Sequence, residues 1–353
     1  MTTSPAAWTG AEAARSAAWI YQLSTDEISA IEAGIDGFGR ADLAWQSASR
    51  STLPLEGLGA LFARARAELE EGSGLFRIRG LPVARLSLDQ IKAFYLSFGA
   101  HIGQPVSQSM HRQFMMDIED EGAKSKDYGV MKAGGSGAEF RSSRARAFST
   151  GRLRFHTDRC DVVSLLCVRQ AAEGGHSKIA SAVAIHDAML ERAPDLLTEL
   201  FKPYPRSRFG EEARDASTHY MLPVFAMRAG KFTTHYSRTY IEAAQANARV
   251  PRISEAQVAA LDMLDALANE LSFEMTLQPG DIQLLNNHVV YHAREPFVDN
   301  ADAGKKRLLL RLWLAMPDSR ALPESFRVLF GDTSPGALRG GIWPAESAYQ
   351  VNA

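Results

Sequence analysis

His156 and Asp158 stand two residues apart in Phe155-His156-Thr157-Asp158. In an extended segment residues at this spacing leave the same face, so an imidazole and a carboxylate can reach one ion. A second stretch, Asn286-Asn287-His288-Val289-Val290-Tyr291-His292-Ala293-Arg294, offers two more histidines. Either of them, added to His156 and Asp158, completes a set of two histidines and one carboxylate. On non-haem Fe(II) that set occupies one face and leaves positions open for O₂ chemistry; zinc hydrolases use the same ligand types and usually keep one water position. Spacing alone leaves both chemistries standing.

A third stretch, Arg307-Leu308-Leu309-Leu310-Arg311-Leu312-Trp313-Leu314, reads as a strand. Arg307, Leu309, Arg311 and Trp313 then share one face, and the other four leucines cover the opposite one. A guanidinium among apolar groups is costly unless it meets an anion, and its fork matches a carboxylate bidentately. Two such arginines suit a dicarboxylic cosubstrate. A buried ion pair with Asp or Glu is the plainer alternative.

Several elements must position these residues. Residues 9–70 read mainly as helix, with Leu55, Leu58, Leu61 and Phe62 at helical spacing, which makes 1–74 an N-terminal helical decoration. Phe76 and Ile78 alternate with Arg77 and Arg79 in a short strand, and Ser87 caps a helix carrying Leu88, Ile91, Tyr95 and Phe98 that Gly99 should end. Residues 119–150, rich in Gly, Ser, Lys and Arg (Gly122, Gly129, Gly134, Gly135 and Gly137 among them), read as a mobile loop, either lid or linker. The apolar run 162–168 predicts a strand buried on both faces. A helix follows over 182–201, then a hairpin over 224–240 turning at Ala229-Gly230. Ser254 and Gln257 form a capping-box pattern ahead of Val258, Leu261, Leu264 and Leu267. Strands at 273–277, 282–286 and 308–315 surround the turn Gln278-Pro279-Gly280-Asp281. There is no internal repeat.

Composition narrows the class of protein. Hydrophobic residues make up 46% and charged residues 23% of the 353, which supports a sizeable core and argues against disorder. A net charge of −2 gives no global field for nucleic acid or anionic lipid. Two cysteines, Cys160 and Cys167, are too few for a disulfide framework and suit a reducing compartment, so the cytoplasm is the expected location. The segment 1–21 lacks a basic stretch before an apolar run, and no window approaches the roughly 20 apolar residues of a membrane span. We expect one soluble unit, with residues 75–353 carrying the site.

Taken together, the three motifs resemble the taurine dioxygenase-like family of the clavaminate synthase-like superfamily, over roughly 148–330. His156-Thr157-Asp158 is similar to the proximal metal motif, and Gly174-Gly175-His176-Ser177 to the family's Gly-Gly-Asp-Thr segment. Asn287 and His292 fit its Asp-Asn-Arg-x-x-x-His pattern, which favours His292 over His288 as third ligand. The resemblance implies a mixed α and β fold with a double-stranded β-helix, or jelly-roll, core. It also implies Fe(II) held by His156, Asp158 and His292, and 2-oxoglutarate and O₂ as cosubstrates. Ser177 and Arg311 would bind the distal 2-oxoglutarate carboxylate, and Arg307 the metal-bound end. The implied reaction hydroxylates a small organic molecule and releases succinate and CO₂. Asn286, His176 and Ser177 depart from the family's Asp, Asp and Thr, and serine keeps the hydroxyl donor.

A zinc hydrolase and a non-enzymatic jelly-roll binding or sensor module are the rival readings. Arg141, Arg144, Arg146, Arg152, Arg154 and Arg159 crowd the approach to the metal motif, which makes an anion one candidate class of substrate. His235, Tyr236 and Arg238 are candidates to face it. His219, like His235, reads as a polar surface or pocket residue and not a ligand, His101 and His111 are assigned nothing, and Cys160 reads as a packed residue. A homo-oligomer is a further candidate state; nucleic acid and membrane are not expected partners.

Overall fold

The computed structural model describes residues 4–122, 130–132, 139–209 and 217–343. Two sheets face one another. The larger runs Ile20–Gln22, Leu75–Arg79, Ile282–Asn286, Val162–Arg169, Leu308–Ala315, Gln104–Pro105, with Met115–Ile118 also paired to Leu308–Ala315. Its strands are antiparallel except for the first pair. The smaller sheet is the antiparallel series Phe273–Met275, Ser177–Ser181, Val290–Arg294, Leu153–His156. This is the jelly-roll core.

The strand Leu308–Ala315 shows why the chain folds this way. Its residues alternate between two hydrophobic clusters: Leu309 and Trp313 join Val163, Ile179 and Tyr291 between the sheets. Leu308, Leu310, Leu312 and Leu314 instead meet Phe62, Phe94 and Phe98 from the helices Gly59–Glu70 and Leu88–Ile102 on the outer face. The neighbouring run 162–168 divides the same way, Val163 and Cys167 inward and Val162 and Leu166 outward. It is buried on both faces, as its composition predicts.

Several local expectations change. The helix from Ser87 passes through Gly99 to Ile102, because the missing side chain lets the helix approach Leu312, where a Cβ would lie 2.5 Å from Leu312 Cδ1. Leu55 and Leu58 precede the helix Gly59–Glu70, and Ile20–Gln22 adds a strand from the N-terminal segment to the large sheet. The helical stretch after Ser181 is two helices, Ala182–Arg192 and Pro194–Leu200, since proline cannot continue the first and starts the second. Within 119–150, the strand Val130–Lys132 pairs with Glu139–Arg141 and Ser143–Ala147 is a short helix, so these parts are ordered. Gly129, Gly134, Gly135 and Gly137 lie outside the described residues.

The turn Gln278–Asp281 joins the sheets to the site-bearing strand Ile282–Asn286. Gly280 has φ +87°, and a Cβ there would lie 2.1 Å from the Leu81 carbonyl oxygen. Asp281 closes the turn, accepting from Gln278 N at 2.6 Å, and it pairs with the buried Arg77 of the neighbouring strand. Gly280→Ala should therefore cost more than ~1 kcal/mol of unfolding free energy. Urea unfolding of the two proteins checks this, and equal midpoints would contradict it.

Candidate active site

The small sheet brings the two motifs together. His156 ends its strand directly opposite His292 on the adjacent strand, and Asp158 follows two residues later. His156 Nε2 lies 3.8 Å from Asp158 Oδ1, and His292 Nε2 lies 3.7 Å from Asp158 Oδ2. One ligand atom from each of the three falls within 4.8 Å of the other two, and all three residues are buried. His156 Nδ1 donates to the Arg154 carbonyl at 2.9 Å, which leaves the Nε2 lone pair free for an ion. Asp158 Oδ2 and His292 Nδ1 are buried with no hydrogen-bond partner among the described residues. Burial pushes His156 below the usual histidine range and His292 down to about 3, the latter also through the neighbouring His156. Burial opposes ionisation of Asp158, but Arg311 and the two histidines outweigh it and hold its carboxyl below the ordinary value. Two neutral imidazoles and a carboxylate with spare acceptors are the donor set a divalent metal takes.

His288 does not belong to this set. Its Nε2 donates to Asp161 Oδ1 and its Nδ1 accepts from Thr233 Oγ1, both at 2.8 Å, so neither nitrogen is free. Asp161 also accepts from Arg339 Nε at 2.8 Å and from Met316 N at 2.9 Å, and Arg339 is 0% exposed. Asn287 is a positioning residue: its Oδ1 accepts from Asp158 N at 3.0 Å while Nδ2 donates to Cys160 O at 3.2 Å. Cys160 is buried, and burial raises its thiol pKa well above normal, which fits packing.

Ser177, Arg307 and Arg311 line one cavity with the three metal-set residues. The two arginines sit at opposite ends from those expected. Arg311 lines both cavities that contain Asp158 and so stands at the metal end, where its Nε donates to Gln108 Oε1 at 2.7 Å. Arg307 shares a second cavity with Gly175 and Ser177 that does not reach the metal set. The register of the strand explains the exchange, because Arg311 pairs with Leu165 deep in the large sheet while Arg307 precedes the strand at its rim. Arg307 Nη1 is buried without a hydrogen-bond partner among the described residues, and burial lowers the Arg307 pKa to about 10.

Arg294 was not singled out by the sequence. It is buried beside Arg307, both guanidinium groups lie over Phe297 at 4.9 and 5.0 Å, and burial together with Arg307 lowers its pKa to about 9. It donates to the carbonyls of Ala147 at 3.2 Å and Ser149 at 2.6 Å, and so ties the helix before the metal strand to the floor of the site. Its signal was the place two residues after His292, on the same strand face. His176 donates or accepts with Thr276 Oγ1 at 2.8 Å, and His101 stacks on Phe62 at 4.9 Å.

A further cavity opens on the other side of Asp158 and Arg311, lined by Arg144, Arg159, His235 and Tyr240 among others. The arginine cluster largely disperses away from it. Arg141 pairs with Glu139, Arg154 with Glu242 and Asp265, and Arg152 reaches Asn269, while Arg146 donates to backbone carbonyls. Of the six only Arg144 and Arg159 line this cavity. The hairpin strands end at Thr234, so His235 lies beyond them and faces the cavity. Tyr236 instead donates to Asp265 at 2.7 Å, and Arg238 begins a helix and pairs with Asp262.

A jelly roll with two histidines and an aspartate buried between its sheets, beside arginines that among the described residues meet no carboxylate, fits the non-haem metal oxygenase class. Residues 41–313 match the family described as taurine catabolism dioxygenase TauD, TfdA family, and the chain belongs to that family of dioxygenases. Among curated relatives it is 28% identical to FR-33289 synthase of Streptomyces rubellomurinus (strain ATCC 31215), covering 92% of this chain and 93% of that one. It is 26% identical to the taurine hydroxylase-like protein SAT17 of Stachybotrys chartarum (strain CBS 109288 / IBT 7711), over 87% and 77%. The fold is shared with an asparagine oxygenase solved with Fe(II), 3-hydroxyasparagine and succinate (TM-score 0.64, 17% identity, 84% of this chain and 93% of that one). It is also shared with the non-haem iron oxygenase OrfP solved with Fe and α-ketoglutaric acid (TM-score 0.60, 16% identity, 84% and 93%). No helix among the described residues is long and apolar enough to cross a membrane.

Asp161→Ala should leave Arg339 buried without its carboxylate and cost about 3 to 5 kcal/mol. Denaturant unfolding measures this, and a loss below ~1 kcal/mol would show that the network around His288 is not structural.

Proposed function

We propose that this dioxygenase uses Fe(II), 2-oxoglutarate and O₂ to hydroxylate a small organic anion, with His156, Asp158 and His292 holding the iron. Ser177 and Arg307 hold the distal carboxylate of 2-oxoglutarate, and Arg311 meets its metal-bound end. The observation that carries this reading is the unpartnered Arg307 Nη1, buried in the cavity that leads from Ser177 to the metal set. A buried guanidinium N–H with no acceptor is costly, and a ligand carboxylate would supply the acceptor that the chain does not. A zinc hydrolase or a binding module has no use for such a group.

Bound together, the iron and 2-oxoglutarate supply the oxidising chemistry, with succinate and CO₂ as coproducts. The chain contributes orientation and exclusion of water. His156 is held in one tautomer by the Arg154 carbonyl, and Asp158 is held by Asn287. Leu165, Val163 and Leu309 wall the cosubstrate cavity with apolar surface. Among the described residues three arginines line the facing cavity, Arg144, Arg159 and Arg311, and one carboxylate, Asp158 of the metal set, which supports an anionic substrate. The two unpaired cysteines favour a reducing, cytoplasmic setting.

Anaerobic addition of Fe(II) and 2-oxoglutarate should produce a weak visible charge-transfer band from the chelate. Its absence would overturn the reading. His156→Ala and His292→Ala should each lose Fe(II) binding by calorimetry, whereas His288→Asn should keep it; the reverse pattern would reject the ligand assignment.

Arg307→Lys keeps the charge and loses the fork. It should raise the KM for 2-oxoglutarate at least tenfold, about 1.4 kcal/mol. An unchanged KM would remove Arg307 from the cosubstrate site.

A further inference from the structure

The cavity beyond Asp158 contains a fixed hydrogen-bond donor whose direction is set by a residue deeper in the fold. Arg206 is 0% exposed and has no carboxylate partner among the described residues: its Nη1 donates to His235 Nδ1 at 2.8 Å, and its Nη2 donates to the carbonyls of His235 at 2.7 Å and Pro223 at 3.1 Å. A guanidinium has only donors, so His235 Nδ1 must accept. The proton of the neutral imidazole is thereby confined to Nε2. Burial, and then the Arg206 charge, push the His235 pKa well below normal, so the ring stays neutral. His235 faces the cavity, as does the half-buried Arg159, whose guanidinium pairs with no carboxylate among the described residues. The buried Trp313 lines the same cavity, with its indole N–H turned toward Asp158.

We propose that Arg159 and His235 Nε2–H form the receptor for an oxyanion head group of the substrate, with Arg206 as the positioning residue that keeps His235 a donor. The inference rests on the dioxygenase reading and specifies its substrate. A neutral or cationic head group would leave Arg159 without a counter-charge. Hydroxyl groups on the wall can donate or accept, but among the described residues its one carboxylate is Asp158, which belongs to the metal set and would not be spared for a cation. An anion needs donors only, and the wall supplies them. Held there, it presents the rest of the substrate toward Asp158 and Arg311, where this cavity meets the cosubstrate cavity. Planar and tetrahedral oxyanions share this chemistry.

The test titrates inorganic phosphate, acetate and neutral acetamide into the protein loaded with Fe(II) and saturating 2-oxoglutarate under argon, followed by calorimetry. Saturation with 2-oxoglutarate keeps the probes out of the Arg307 site. Phosphate or acetate should bind at millimolar concentration and acetamide should not; the stronger of the two anions tells a tetrahedral from a planar head group. Arg159→Gln and His235→Phe should each weaken the anion at least tenfold, while His235→Gln, which keeps an N–H in that place, should recover most of it. Arg206→Lys still donates to Nδ1 and should retain the affinity that Arg206→Met loses with the chelate band intact. If Arg206→Met fails to fold, the Arg159 and His235 variants decide. Anion binding that is absent in the wild type, or equal in Arg159→Gln and His235→Phe, overturns the inference while the chelate band leaves the dioxygenase reading in place. A wild type without the band fails the underlying reading instead.

Discussion

The interior of this jelly roll holds more positive charge than its own residues neutralise, and that excess governs the arrangement of the site. Arg294, Arg307 and Arg311 are all buried, and among the described residues none of them forms an ion pair: Asp158 acts on Arg311, and Asp299 and Asp120 act on Arg307 and Arg294 from farther off. In a medium of low dielectric, like charges repel strongly and each guanidinium loses its hydration. The depressed pKa values of Arg294 and Arg307, about 9 and 10, measure that burden. The chain offsets part of it with π faces, Phe297 beneath two guanidinium groups and Trp313 beneath the third at 5.1 Å, and with carbonyls gathered around Arg294. A dianionic cosubstrate supplies what the protein leaves out.

The metal set depends on sheet pairing more than on loops. His156 and His292 face each other across one ladder, and a one-residue slip would send one of them to the other face. The glycines ahead of Ser177 contribute to the same register. Gly174 and Gly175 have φ +74° and +71°, and a Cβ on Gly174 would lie 2.4 Å from the Pro296 carbonyl oxygen. Only a residue without a side chain lets that corner close against the strand following His292. Around this frame, Asn287 and the Asp161 network hold the turn between the two buried strands.

Much of this was legible in the sequence because it is periodic. The alternation in 307–314 places Arg307, Leu309, Arg311 and Trp313 on one face, and the two spaced histidine motifs supply the rest of the set. The ends served by the two arginines were not legible, since they depend on how far the strand runs past its neighbour. Nor were the roles of His288 and Arg206. Both are polar side chains whose partners, Asp161 and His235, are distant in sequence and meet them only after folding. The arginine cluster before the metal motif misled for a related reason: most of its members find carboxylates or carbonyls on the helices Arg238–Gln245 and Glu255–Glu270 or on their own segment. The helix through Gly99 continued because tertiary contact overrode a residue that often ends helices.

The two cavities that meet at Asp158 and Arg311 have one wall in common. Whatever occupies one changes the field felt in the other, and free energy of binding is a property of state. The affinity of the cosubstrate with the facing cavity filled and the affinity of the substrate with the cosubstrate bound must therefore differ from their separate values by the same factor. On the assignment proposed above both ligands are anions beside Arg311, so they would repel one another while each would screen that arginine's repulsion toward its neighbours. The sign of the shared factor is set by which of these is larger at Arg311, and it decides whether filling one cavity helps or hinders filling the other, whichever fills first.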